Sequence, residues 1–349
     1  MTLMPDALQI DALPHRRMEA WKWTDLRAKL AEDTSGLSQA GLPKLSLPDG
    51  VSVSEETVNE AAGDTPMSSL ARGFGGKVWT INVPDGFSSQ SPLSVEDLSK
   101  GHIRLRLNMG KGAKLFLIEH HQGSGGFCNI DMAIKLREGA ELERVIVHDD
   151  SENHVRVATT HYTLWKGAKL KQYALSFGAS IARLETRLAV MGTGVEALIN
   201  GAYLLSGSRH TDMTSYIDLA APDCVIRQSI KGVVADTSRG VFQGKFHVRR
   251  PAQKTDAEMR HDALMLSDAA QIRSKPELEI YADDVECAHG NTLGALDESA
   301  LFYMRQRGIP LVQARALLTE AFLTDVFDDV SDEALQNSLL SKIRTWLER

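Results

Sequence analysis

The polar and apolar positions of this 349-residue chain change rhythm twice. From about Lys77 to Leu293 they alternate one by one. In "HIRLRLN", Ile103, Leu105 and Leu107 fall on one side and Arg104 and Arg106 on the other. In "ERVIVHD", Val145 and Val147 oppose Arg144 and Ile146. Alternation of period two over about 5–7 residues predicts half-buried strands, because successive strand side chains leave on opposite faces. Val145 and Val147 are expected in the interior. Helical periodicity is nearly absent from this stretch, which rules against βαβ units with their helical crossovers.

The strand-like runs recur. "GKGAKLFLIEHH", "REGAELERVIVHDD", "WKGAKLKQYALSFG" and "GTGVEALINGAYL" place corresponding glycines at Gly112, Gly139, Gly167 and Gly194, with spacings of 27, 28 and 27 residues. A period of 20–50 residues points to stacked structural repeats. Of a sandwich, a barrel and a β-solenoid, the regular spacing favours the solenoid.

The ends read differently. "RRMEAWKWTDLRAKL" looks helical, and "GLPKLSLPDGVSVS" reads as a Pro/Gly/Ser linker. Beyond Gly294 the pattern turns helical. Asp297 can cap a short helix ending at Gly308, and Pro310 suits a first helical turn. Leu311, Ala314, Leu318 and Phe322 form an apolar stripe; Ser331 can cap a last helix carrying Leu335, Leu339, Ile343 and Leu347. The expected division is a helical segment and linker over 1–76, a β body over 77–293 and a helical subdomain over 294–349.

Composition narrows the function. A hydrophobic share of 43% is enough for a sizeable core, and the net charge of −7 argues against bulk nucleic-acid binding. No run approaches the ~20 apolar residues that span a bilayer. "MTLMPDALQIDALPHRR" lacks the apolar region of a signal peptide, so the cytoplasm is expected and a membrane partner is not. Three cysteines without a C-x-x-C argue against a disulfide framework or a self-contained zinc ribbon, and Cys128 and Cys224 read as small buried hydrophobes.

Several stretches carry candidate chemistry. "GTGVEA" (Gly192–Ala197) matches the dinucleotide fingerprint in form, but Asn200–Gly201 interrupts the helix that the fingerprint must open. No phosphate-binding G-x-x-x-x-G-K-[ST] occurs, so the chain has no ATP site of its own; G-x-S-x-G and H-E-x-x-H are absent too. "GSGGFC" reads as a loop between strands. His120 and His121 point to opposite faces of a strand and cannot share an ion. "VHDD" at His148 and "RHTD" at His210 are possible ligand sets or plain polar turns, and "KFHVRRPAQK" reads as a solvated basic face.

"EIYADDVECAHGNT" is sharper. Cys287 and His289 stand two apart and on a strand share one face, about 6–7 Å from each other. Thiolate with imidazole suits iron or zinc. Two ligands do not close a site, since iron–sulfur clusters usually take four. The other reading is a buried cysteine and a histidine that ends a strand. Asp283, Asp284 and Glu286 disfavour the thiolate if they lie close.

At these residues the chain resembles a known family. "KPELEIYADDVECAHG" followed by "LDESALFYMRQRGI", the upstream "TDMTSYIDLAAPDCVIRQSIKGVVAD" and "RMEAWKWTDL" look like the SufB/SufD proteins of iron–sulfur cluster assembly. The SufD branch fits best. SufB proteins typically carry a cysteine where "MRHDALML" has His261, and this chain is shorter and lacks their extra N-terminal cysteines. The resemblance implies a right-handed parallel β-helix with a C-terminal helical subdomain, and a non-catalytic scaffold in a complex with a SufB-like subunit and the ATPase SufC. It implies that the β-helices pair, that the C-terminal helices dock SufC, and that Cys287 and His289 lie at the shared interface. There the histidine would help build a transient nascent cluster with a SufB cysteine. A homodimeric SufB/SufD-like scaffold, and a β-solenoid enzyme acting on a polysaccharide, are the alternatives.

Overall fold

The computed structural model describes residues 12–31, 36–89 and 91–348. Most of the N-terminal stretch read for a leader, residues 1–11, lies outside them.

The alternating runs are strands of a parallel β-solenoid built from two nine-stranded sheets. Successive runs land on alternate sheets, so each rung stacks on the one before. The repeat spacing is the rung itself: Lys114 pairs with Glu141, Glu141 with Lys169, and Lys169 with Glu196. The glycines make one corner. Gly112, Gly139, Gly167 and Gly194 have φ of 62°, 67°, 64° and 69°, the left-handed region that glycine enters without a Cβ clash. The corner continues past the detected repeat through Asp223 and Lys254, both with φ of 57°. "GTGVEA" is one such corner, and it opens the strand Glu196–Leu205 rather than a helix. No helix N-terminus is there to meet a pyrophosphate.

The inner faces make the core. Leu105, Ile134, Leu142, Ile146, Ile199 and Phe246 belong to one buried cluster. Val145 and Val147 are buried too, but not there. They lie on the outer face with Tyr173 and Leu175, packed against Leu323, Phe327, Leu339 and Ile343 of the C-terminal helices. Val145 and Val147 are thus buried as expected, but beneath the tail helices and not in the solenoid core, because both faces of a parallel sheet are covered. Arg144 takes the inner position, where its Nε–H donates to Glu119 Oε1 at 2.6 Å and its Nη1 to Tyr162 at 2.6 Å.

The N-terminal segment covers the outer face of the other sheet. Its helix is shorter than the sequence suggests, a single turn at Glu19–Trp21 and then Leu26–Leu30. Trp21, Leu26 and Leu30 pack against Phe127, Val157 and Ile181, and the Arg183 guanidinium sits 4.1 Å from the Trp21 ring centroid. The stretch read as a linker contains two strands. Lys44–Ser46 and Ser52–Glu56 pair antiparallel with Leu93–Glu96 and Val78–Val83, and Leu45, Leu47 and Val51 pack on the core. They close the first end of the solenoid. Repeat folds need such capping elements, since an end rung has a face with no neighbour.

Among the described residues the far end has no equivalent cap. Its last rung is Gln271–Ile280 and Glu286–Gly294, each at the margin of its sheet. Three helices follow, Glu298–Gln306, Leu311–Leu323 and Glu333–Leu347, and the last two pack on the outer face of the solenoid. Asp297 caps the first, its carboxylate accepting the Ser299 N–H at 2.8 Å. Asp332, not Ser331, caps the last by accepting from Leu335 at 2.7 Å; the Ser331 N–H donates to Glu143 instead. Of the expected stripe, Ala314 is buried, Leu318 and Phe322 are half-buried, and Leu311 is 37% exposed. Among the described residues no helix is long and apolar enough to cross a membrane.

Candidate functional site at the open end of the solenoid

The strand Glu286–Gly294 pairs in parallel with Asp256–Met265, placing Ala257 beside Cys287, Met259 beside His289 and His261 beside Asn291. Ala257 and Met259 belong to the inner core, so Cys287, His289 and Asn291 continue the inner face on the last rung. Cys287 and His289 therefore share a face. With no later rung above it, that face is open: Cys287 is half-buried against the core, and His289 and Asn291 are exposed.

Burial raises the Cys287 thiol above its ordinary pKa, and the carboxylate of Asp256 on the neighbouring strand adds to the rise. The acidic neighbour that acts on the thiol is Asp256, not the Asp283, Asp284 and Glu286 that crowd it in sequence. Unaided, the thiol stays protonated at neutral pH; a metal or a cationic partner group would be needed to draw out the thiolate. Among the described residues no group of three or more His, Cys, Asp or Glu side chains is placed to hold a metal ion. Cys287 and His289 alone do not close a metal site, since iron–sulfur clusters usually take four ligands.

The other candidates separate from it. Cys128 and Cys224 are fully buried, and burial pushes the Cys128 thiol up to about 11. Within "GSGGFC", Gly123–Gly125 form the loop between strands and Gly126–Cys128 already open the strand Gly126–Leu136. His121 turns inward and His120 outward. His148 and His210 are not in turns: His148 ends a strand and stacks on His121 inside the solenoid, and His210 opens a strand where its Nε2 bonds Thr24 at 3.0 Å. Asn291, on the same face as His289, does not stand out in the sequence. Its one available signal was the i+2 spacing from His289, which an amide side chain does not advertise as chemistry.

A second exposed feature lies on the helical tail. Pro310, Val312, Leu317, Glu320, Arg344 and Leu347 line an open groove of about 460 Å³, with Val312 78% exposed. Phe302 and Tyr303 stand exposed on the preceding helix.

Comparison with known proteins bears on both features. Residues 95–322 match the family model described as SUF system FeS cluster assembly, SufBD core domain. The chain is 28% identical over 251 residues to the iron–sulfur cluster assembly protein SufD of Escherichia coli, a match spanning 71% of this chain and 59% of that one. It is 32% identical over 213 residues to the SufBD family protein slr0076 of Synechocystis, spanning 61% and 47%. The SufBD family protein Rv1462 of Mycobacterium tuberculosis is 24% identical over 367 residues, spanning 98% and 92%. The matches thus cover about half to three fifths of the first two relatives. These matches leave the polysaccharide reading without support. On the family match, which takes in most of the solenoid with Cys287 and His289 and only part of the groove lining, the chain belongs to the SufBD family of iron–sulfur cluster assembly proteins and is SufD-like.

Proposed function

We propose that this chain is a non-catalytic, SufD-type scaffold subunit that acts in the cytoplasm. It would pair with a SufB-like subunit through the open end of its solenoid and recruit the SufC ATPase through its helical tail. The observation that carries the reading is the asymmetry of the solenoid. One end is closed by antiparallel strands, while the other presents two strand margins together with Cys287 and His289. A strand margin offers unpaired backbone groups that favour pairing with another chain. Tyr281 and Leu293, 56% and 55% exposed, add apolar surface there.

In this reading the nascent iron–sulfur cluster is cargo. His289 contributes an imidazole and Cys287 assists, while the partner supplies the remaining ligands, because clusters usually take four. ATP is bound by the partner that docks on the tail groove, and the division at about Leu293 separates the cluster-bearing body from the docking helices. The same open end could accept a second copy of this chain. Co-expression with SufB and SufC tests the reading: a stable complex carrying iron and sulfide is expected. A chain that stays homodimeric beside both partners would favour the self-paired scaffold instead.

A further inference from the structure

Behind the open edge lies a hydrogen-bonded chain that the Cys287–His289 pair does not use. Tyr203 Oη bonds His261 Nε2 at 2.9 Å, and His261 Nδ1 bonds Asn291 Oδ1 at 3.0 Å. Tyr203 and His261 are fully buried, whereas Asn291 is exposed on the last strand, two residues beyond His289 on the same face.

The arrangement is built, not incidental. The Tyr203 ring occupies a slot left by two glycines: a Cβ at Gly232 would lie 2.0 Å from its Cζ, and one at Gly240 2.4 Å from its Cε2. The His261 ring stacks on Phe242, centroids 4.8 Å apart and planes 13° apart. Proton positions follow from chemistry. An amide oxygen only accepts, so His261 Nδ1 carries the hydrogen and Nε2 accepts from the tyrosine hydroxyl. Burial favours this state at both ends, lowering the His261 pKa to about 4 and raising that of Tyr203. With Oδ1 committed to His261, the amide of Asn291 is oriented, and its two N–H donors are turned away from the imidazole.

We propose that Asn291 is a third contact of the edge site, donating amide N–H groups to the anionic sulfur of the cargo, and that His261 and Tyr203 are positioning residues that aim it. The proposal rests on the cluster reading given above for Cys287 and His289. Hydrogen bonds to cluster sulfurs stabilise their negative charge and shift the potential, and buried partners that orient such groups are worth roughly 10–100-fold in metal affinity.

Asn291→Asp in the assembled complex with the SufB and SufC partners is the test. It keeps an oxygen to accept from His261 but removes the amide donors. Iron and sulfide per complex should fall about ten-fold, with complex assembly retained and the visible spectrum of any residual cluster shifted. Asn291→Ala should do the same without adding charge, and Tyr203→Phe should fall between it and the parent. Parental iron, sulfide and spectrum in both Asn291 variants, beside a depleted His289→Ala, would overturn the proposal and leave the cluster site standing. A lowered melting temperature in Asn291→Asp with undiminished iron and sulfide would also overturn it, marking Asn291 as a staple of the last strand. Parental cluster content in His289→Ala as well would overturn both.

Discussion

His121 stacks on His148 inside the solenoid, ring centroids 4.5 Å apart and planes inclined by 21°. His121 Nε2 lies 3.0 Å from Glu119 Oε2, while His121 Nδ1 and His148 Nε2 are buried without a protein hydrogen-bond partner. Burial lowers the pKa of both rings, and the partner imidazole lowers that of His148 further. Burial likewise takes His102, His210 and His261 to about 4.

This predicts acid lability beginning near pH 6.5. A histidine whose folded pKa is depressed stays neutral in the fold while the unfolded chain takes up a proton. Stability is therefore full above the unfolded pKa and falls as pH drops towards the folded one. Each such histidine lowers stability by up to about 1.4 kcal/mol per pH unit in that window. Glu119, held at about 2 by Arg144 and His121 against its burial, adds a loss only at lower pH, once its ion pair is protonated. Urea midpoints of the isolated chain should fall steadily from pH 7 to pH 5, with a slope equivalent to more than one proton. A flat profile would contradict the buried neutral histidines.

The Arg144–Glu119 pair predicts a second effect. Both side chains lie inside the solenoid, so removing one charge strands the other. Arg144→Met should cost roughly 3–5 kcal/mol, and adding Glu119→Gln should restore much of the loss. Denaturant unfolding of the single and double variants measures it. Equal losses in both would show that the cost comes from packing.

Val145 and Ile146 are neighbours in sequence that answer to different clusters. Ile146→Ala should cost about 2–5 kcal/mol as a cavity in the solenoid core. Val145→Asp should bury an unpaired carboxylate under the tail and loosen its helices. Limited proteolysis should then cut Val145→Asp first in 294–349 with the β body intact. Cleavage throughout the chain would contradict the assignment of Val145 to the tail interface.

These pairs show how far the sequence could be read. Period-two alternation and the column Gly112, Gly139, Gly167 and Gly194 carried the solenoid, because strand geometry and the left-handed corner are local demands. The column vanished from the sequence at Asp223 and Lys254, where non-glycine residues adopt the same corner and the rungs lengthen. Which cluster Val145 joins, and that Leu45 and Val51 cap the core instead of linking domains, depend on distant chain and left no local mark. The Cys287–His289 spacing was legible as a shared face. The Tyr203–His261–Asn291 chain was not, since its members lie on three different rungs.

The tail groove gives a fourth prediction. Deleting 310–349 would strip Val145, Val147, Tyr173 and Leu175 of cover, so it cannot separate docking from folding. Val312→Asp can, because that side chain is 78% exposed. It should leave the melting temperature unchanged and weaken SufC binding by about 2 kcal/mol, as expected for an apolar anchor. Unchanged affinity in Val312→Asp and Leu317→Asp together would remove the groove from the interface.

The most direct measurement is iron and acid-labile sulfide on the complex expected from co-expression with SufB and SufC, comparing the parent chain with His289→Ala and Cys287→Ala. A neutral imidazole can bind iron without first losing a proton, whereas the Cys287 thiol is held protonated by burial and Asp256. Intact assembly is expected in both variants, with cluster content strongly reduced in His289→Ala and reduced less in Cys287→Ala. Parental iron and sulfide in a fully assembled His289→Ala complex would contradict that expectation.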